Sequence, residues 1–253
     1  GRVTAGPFDG ADIAPRYADD TEVIKQWIRA VFEQNYTRYA IEIWDTDDPQ
    51  AAAALANRPF TRVVFGGFST FAFGAAEAVD LYNANTADQA IVFTEAFQPG
   101  LFQRPPSAEE LGIAMGNVAA HEVGHLLGLH HVRDATAIMD ESSPAFTLLG
   151  NQEFKDAPLS PAIFPLGTQD AHHLLSFTLG LEVTPAAKLG AQTEPNLQSQ
   201  WLAELSPVEP LRFATDAPAM ATCLNCAWRA GLCGRGPMRH VADESALNRQ
   251  AQR

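Results

Sequence analysis

"HEVGHLLGLHH", residues 121–131, holds four of the chain's seven histidines within eleven positions, with one glutamate among them. A buried hydrophobic helix has no need of four imidazoles. The stretch continues an apolar, helix-forming run that starts near Ser107, and Ser107 with Glu110 fits a capping box. Gly112 and Gly116 weaken the first turns, so the helix is expected most firmly from about Asn117 to Leu127. Positions i and i+4 of a helix share a face, so His121 and His125 present two imidazoles to one point. Zinc binds imidazole nitrogen at about 2.0–2.1 Å and is usually four-coordinate, so a third ligand must come from elsewhere. Gly128 supplies the route. A helix that stops abruptly wants a left-handed residue there, and the chain can then turn back to bring in His131. His130 is one residue short and, by alternation along extended backbone, is not expected to face the metal with His131. It is expected behind the ligands, facing substrate, or exposed. Glu122 lies about 100° round the helix from His121. There it is expected to take a proton from a zinc-bound water, whose pKa falls to about 7, and return it to a departing amine.

The rest of the chain sets bounds. Its 253 residues carry a net charge of −13, which argues against a nucleic-acid partner, since such binding uses basic patches. No apolar run reaches the roughly 18–20 residues of a membrane span. No basic-then-apolar leader is visible. The first 222 residues lack cysteine; this suits an oxidising exterior, and a secreted or extracytoplasmic location is expected. Residues 1–183 carry 10 Lys/Arg and 24 Asp/Glu, whereas residues 184–253 carry 7 and 6. That shift places a domain boundary near 184. In the extension, Cys223, Cys226, Cys233 and His240 have one C-x-x-C pair. A small zinc site and a set of tail thiols with one disulfide are both compatible with that spacing, and the thiols are the favoured reading.

Hydrophobic periodicity predicts a helix over "DDTEVIKQWIRAVFEQNY", with Asp20 or Thr21 as N-cap. Strands are predicted in "YAIEIWDT", "TRVVFGGFS" and "QAIVFTEAF". "GTQDAHHLLSFTLGL" reads as a helix capped by Thr168 and ending at Gly180, with at most one of His172 and His173 facing inward. Asp170 is expected to cap that helix or hold nearby backbone. In "VDLYNANTAD", Asp80, Asn83, Asn85 and Asp88 offer oxygen ligands of the kind calcium takes, but a solvated turn is the favoured reading.

The spacing H-E-x-x-H-x-x-G-x-x-H, filled by His121, Glu122, His125, Gly128 and His131, resembles the metzincin clan of zinc endopeptidases. Met139 in "ATAIMDES", eight residues past His131, is similar to that clan's Met-turn, which sets a methionine beneath the three imidazoles. Within the clan, "NVAAHEVGHLLGLHH", the short path to the methionine and the following helix look most like the matrixins. The resemblance implies an α+β fold: a mixed twisted sheet with an active-site helix, Met-turn and C-terminal helix over residues 1–183, plus a C-terminal appendage, 184–253. It implies that "QAIVFTEAF" is the edge strand on which an extended substrate pairs, and that residues 140–165 shape the primed-side pocket. Val132 after the third histidine, and Asp140 and Glu141 after the methionine, depart from several subfamilies, and no cysteine-switch segment is recognisable. The expected function is zinc-dependent endopeptidase action on protein or peptide substrates, with His121, His125 and His131 as metal ligands and Glu122 as catalytic base and acid. Calcium is a secondary candidate cofactor. The rival is a catalytically silent zinc-containing binding or adhesion module. Glu122 argues against it, because a purely structural zinc site needs no base.

Overall fold

A computed structural model describes residues 5–141, 143–164 and 166–182. The extension, with Cys223, Cys226, Cys233 and His240, lies outside the described residues. The helices are α1 (Gly10–Ile13), α2 (Thr21–Tyr36), α3 (Ala51–Ala54), α4 (Ala108–Leu126) and α5 (Ala171–Leu179). The strands are β1 (Arg62–Phe65), β2 (Gly74–Ala76), β3 (Gln89–Val92), β4 (Asp156–Pro158) and β5 (Thr168–Asp170).

Helix α4 is the axis of the molecule. Its capping box forms: Ser107 Oγ accepts from the Glu110 amide at 3.1 Å, and the Glu110 carboxylate accepts from the Ser107 amide at 2.9 Å. From Leu111 onward nearly every residue is buried, including both faces, as befits a helix enclosed by other elements. One apolar cluster packs Leu111, Met115 and Val118 with Ile24, Phe73 and Phe97. A second packs Ala120, Val123 and Leu127 with Tyr36, Met139 and Leu175.

The two glycines that the sequence marks as weak points are contact points with α2. A Cβ on Gly112 would lie 2.5 Å from Trp27 Cβ and 2.7 Å from Ile24 O, and one on Gly116 would lie 2.8 Å from Val31 Cβ. Tertiary contact outweighs helix propensity here, and α4 runs unbroken from Ala108.

The main sheet has the order β1-β3-β2, with β1 parallel and β2 antiparallel to β3. This corrects the expected edge strand. "QAIVFTEAF" supplies β3, the middle strand, with neighbours on both sides; β1 and β2 are the outer strands, and β2 packs beside α4. Strand β3 is buried at every second residue because successive side chains point to opposite faces of the sheet, a pattern that does not reveal which strand is outermost. "YAIEIWDT" does not form a strand: Tyr39 makes one isolated bridge with Leu181, and residues 41–45 carry no regular secondary structure. Helix α5 is capped by Asp170, whose carboxylate accepts from the His173 amide at 2.8 Å, whereas Thr168 lies in β5. Gly180, at φ +76°, ends α5 as expected.

Candidate metal centre

The last turns of α4 explain how the third imidazole arrives. The Leu129 amide donates to Gly124 O at 2.8 Å and the Gly128 amide to His125 O at 2.9 Å, the paired bonds of a Schellman motif. Gly128 sits at φ +93°, and a Cβ there would lie 3.1 Å from Leu81 Cα. Left-handed backbone and close approach both require glycine at this position. Beyond it, the Val132 amide donates to Met139 O and the Ser160 amide to His131 O, both at 2.9 Å, fixing the segment that carries His131.

His121, His125 and His131 come together, all buried, with their ligand atoms within 4.8 Å of one another. His125 Nε2 is 3.1 Å from His121 Nε2 and 3.0 Å from His131 Nε2. Each ring's other nitrogen faces an acceptor. His121 Nδ1 donates to Ile138 O and His125 Nδ1 to Leu129 O, both at 2.7 Å. His131 Nδ1 is 2.7 Å from Glu141 Oε2. A carbonyl oxygen can only accept, so the protons of His121 and His125 sit on Nδ1 and their Nε2 lone pairs point at each other. Lone pairs at such separations are favourable only around a shared Lewis acid, and three neutral imidazoles are a donor set that zinc prefers. The residues present therefore fit a zinc ion. Electrostatics agree: burial pushes His121 down to about 3, with His131 adding to the effect. Burial likewise drives His125 well below the usual range, reinforced by His121 and His131. Both rings are neutral, ligand-ready bases at physiological pH.

Met139 is buried, with its sulfur against Gly124, where a Cβ would be 2.6 Å from it. His130 is outside the cluster. Its ring meets Phe164 edge-on, with centroids 5.0 Å apart, and its backbone is gripped by the buried Gln169 amide at 2.8 and 2.9 Å. His172 is half-buried, 2.8 Å from the Tyr39 hydroxyl, and His173 is exposed. In the acidic loop, Asp80 Oδ2 accepts from the Asn85 amide and Asp88 Oδ1 from the Thr61 hydroxyl. Among the described residues, the histidine triplet is the one group of three His, Cys, Asp or Glu side chains arranged to hold a metal.

Glu122 is buried on α4 beside the edge strand. A Cβ on Gly74 of β2 would lie 2.7 Å from both Glu122 Cγ and Oε1, so the strand and the carboxylate are in direct apposition. Three residues of this site carry no sequence signal: Gly74, Glu141 and Gln169. Their partners are 48, 10 and 39 positions away in the chain, respectively, and no short-range motif links them. Glu141 is half-shielded. Burial pushes its carboxyl up, but hydrogen bonds from His131 and Ser160 prevail and hold it below the ordinary glutamate value.

A helix-borne histidine pair, a third histidine after a glycine stop and a methionine turn packed on that helix define a metallopeptidase-type domain. The family model described as Matrixin, peptidase M10, matches residues 25–155, just over half the chain. The chain belongs to the matrixin family, with a histidine cluster suited to the zinc of that family. No curated protein matches the chain. No helix among the described residues is long and apolar enough to cross a membrane.

Proposed function

We propose that the protein is a zinc-dependent endopeptidase in which His121, His125 and His131 hold the metal and Glu122 is the proton-transferring residue. The observation that carries the proposal is the apposition of Glu122 to edge strand β2, on the helix that bears two of the three converging imidazoles. Zinc, when bound, supplies Lewis acidity toward the scissile carbonyl and makes water acidic near neutral pH. The protein's own groups do the rest. The Glu122 carboxylate accepts the proton of the attacking water and returns it to the departing amine nitrogen. Its burial beside Gly74 holds it in one place and limits competing water.

Strand β2 positions the peptide. Phe73 and Glu77 are tied to Phe93 and Gln89 by backbone bonds, and Ala75 lies opposite Ile91. In an antiparallel pair the intervening residues aim their amides and carbonyls the other way. Gly74 and Ala76 therefore offer backbone groups on the edge turned away from β3, which has no strand partner among the described residues, the arrangement that recruits an extended chain by strand addition. The edge-on contact of Phe164 with His130, 5.0 Å between ring centroids, supports a pocket wall beyond the scissile bond.

The test is cleavage of a denatured protein by the zinc-loaded wild type and by Glu122→Ala. A loss of about 10²–10⁴-fold in kcat is expected for removing the acid-base group. An inert wild type, or an undiminished variant, would instead point to a zinc-holding binding module.

A further inference from the structure

We infer that Glu141 is a positioning residue that orients His131 and strengthens it as a zinc ligand, with Ser160 holding Glu141 in place. The inference rests on the reading of His131 as a ligand. Three imidazoles converge, and two of them, His121 and His125, donate from Nδ1 to main-chain carbonyls. His131 Nδ1 instead meets a side-chain carboxylate, Glu141 Oε2, at 2.7 Å. The other carboxylate oxygen of Glu141 accepts from the Ser160 hydroxyl. Ser160 also donates its amide to His131 O at 2.9 Å. Ser160 therefore grips both ends of the His131–Glu141 pair, the ligand's backbone and its partner's side chain.

The chemistry differs from that of the other two rings. A carboxylate is an ionised acceptor, and its bond to an N–H is roughly twice as strong as that of a neutral carbonyl. Drawing the Nδ1 proton toward it fixes the tautomer, leaves the Nε2 lone pair facing the other two rings and raises that nitrogen's basicity. His131 needs the help more than its companions do. His121 and His125 ride on a packed helix, whereas His131 lies on the chain beyond the Gly128 stop. Glu141 follows Met139 by two residues, so the same turn that packs sulfur against Gly124 also carries the brace for the third ring.

The test measures zinc affinity by competition with a chromogenic chelator, on the full chain, for wild type, Glu141→Ala and Glu141→Gln. Removing such a partner is expected to weaken zinc binding by about 10–100-fold in Glu141→Ala. Glu141→Gln keeps an acceptor oxygen and is expected to recover part of the loss. A general packing defect would instead lower the unfolding temperature of the metal-free protein without that graded rescue. Long-range proton–nitrogen NMR of the metal-free wild type adds a readout that needs no variant to fold: the His131 proton is expected on Nδ1. Wild-type affinity in both variants, or a His131 proton on Nε2, overturns the inference while leaving the peptidase reading intact. A wild type that binds no zinc overturns both.

Discussion

Gly74 has no side chain, and the space a side chain would fill is occupied by the Glu122 carboxylate and Val118. In Gly74→Ala the new methyl meets Glu122 Cγ and Oε1 at 2.7 Å, so the carboxylate must move. A displacement of about 1 Å in a reacting group costs on the order of 10²-fold in rate. We expect kcat to fall by about that factor while zinc per chain stays at the wild-type value. Loss of zinc in the variant would show that the damage spreads beyond Glu122. Gly128→Ala is a backbone defect, because alanine at φ +93° is strained. It should cost roughly 1–2 kcal/mol, seen as a lower urea midpoint. At this scale the histidines and Gly128 were legible because helix geometry fixes the spacing of His121 and His125, and a left-handed stop explains the third. Gly74, Glu141 and Gln169 were not, since each acts on a partner that only tertiary folding brings near.

Among the elements, α4 was readable because its capping box and i, i+4 pattern are local. Its full length was not. Gly112 and Gly116 suggested a late start, and the helix instead uses them to let α2 approach. The two effects can be weighed. Gly112→Ala gains about 1 kcal/mol of helix propensity, but overpacking costs about 1–3 kcal/mol. One atom in the way is Ile24 O, which is backbone and cannot swing aside. Net destabilisation is expected in urea unfolding; a stabilised variant would mean that α2 can shift.

The start of α4 has a pH signature. Hydrogen bonding by Arg104, then the Ser107 amide, holds Glu110 down to about 2. A depressed carboxyl contributes stability that is complete above its unfolded value near 4.5 and is lost as pH falls toward about 2. Glu110→Ala should therefore cost about 1 kcal/mol at pH 7, with the gap to wild type closing below about pH 4.5; a gap that widens in acid would contradict this. The strands were harder to read. Alternation in "YAIEIWDT" fits a strand, but strand formation needs a neighbour, and the described residues offer it only the Tyr39–Leu181 bridge. Strand order is equally a matter of partners, and side-chain alternation does not separate the central strand β3 from the outer strand β2.

Across the whole molecule, the three clustered histidines sit where two apolar clusters meet along α4, with His131 held by the strands and turns beyond it. Zinc bound there ties helix to return segment in the folded state only. By mass action, free zinc at 100 times its dissociation constant adds about 2.7 kcal/mol, and about 2–4 °C of unfolding temperature accompanies each kcal/mol in a chain of this size. Chelation should lower the midpoint by roughly 5–10 °C, reversibly on adding zinc back; an unchanged midpoint would mean the fold does not depend on the site. The α+β class was legible through the resemblance to the metzincins that His121, Glu122, His125, Gly128, His131 and Met139 carry. The sheet order was not, because it is decided by contacts between residues far apart in sequence.

The braces behind the imidazoles are of unequal kind. His121 and His125 lean on the carbonyls of Ile138 and Leu129, and every amino acid has a carbonyl. Replacing Ile138 or Leu129 changes a side chain and leaves the acceptor in place. His131 leans on the side chain of Glu141, which exists only as long as one codon specifies it. Two corners of the site are thus inherited with the polypeptide itself, whereas the third is encoded. Random mutation that spares the histidines would reach the metal most directly through that single position.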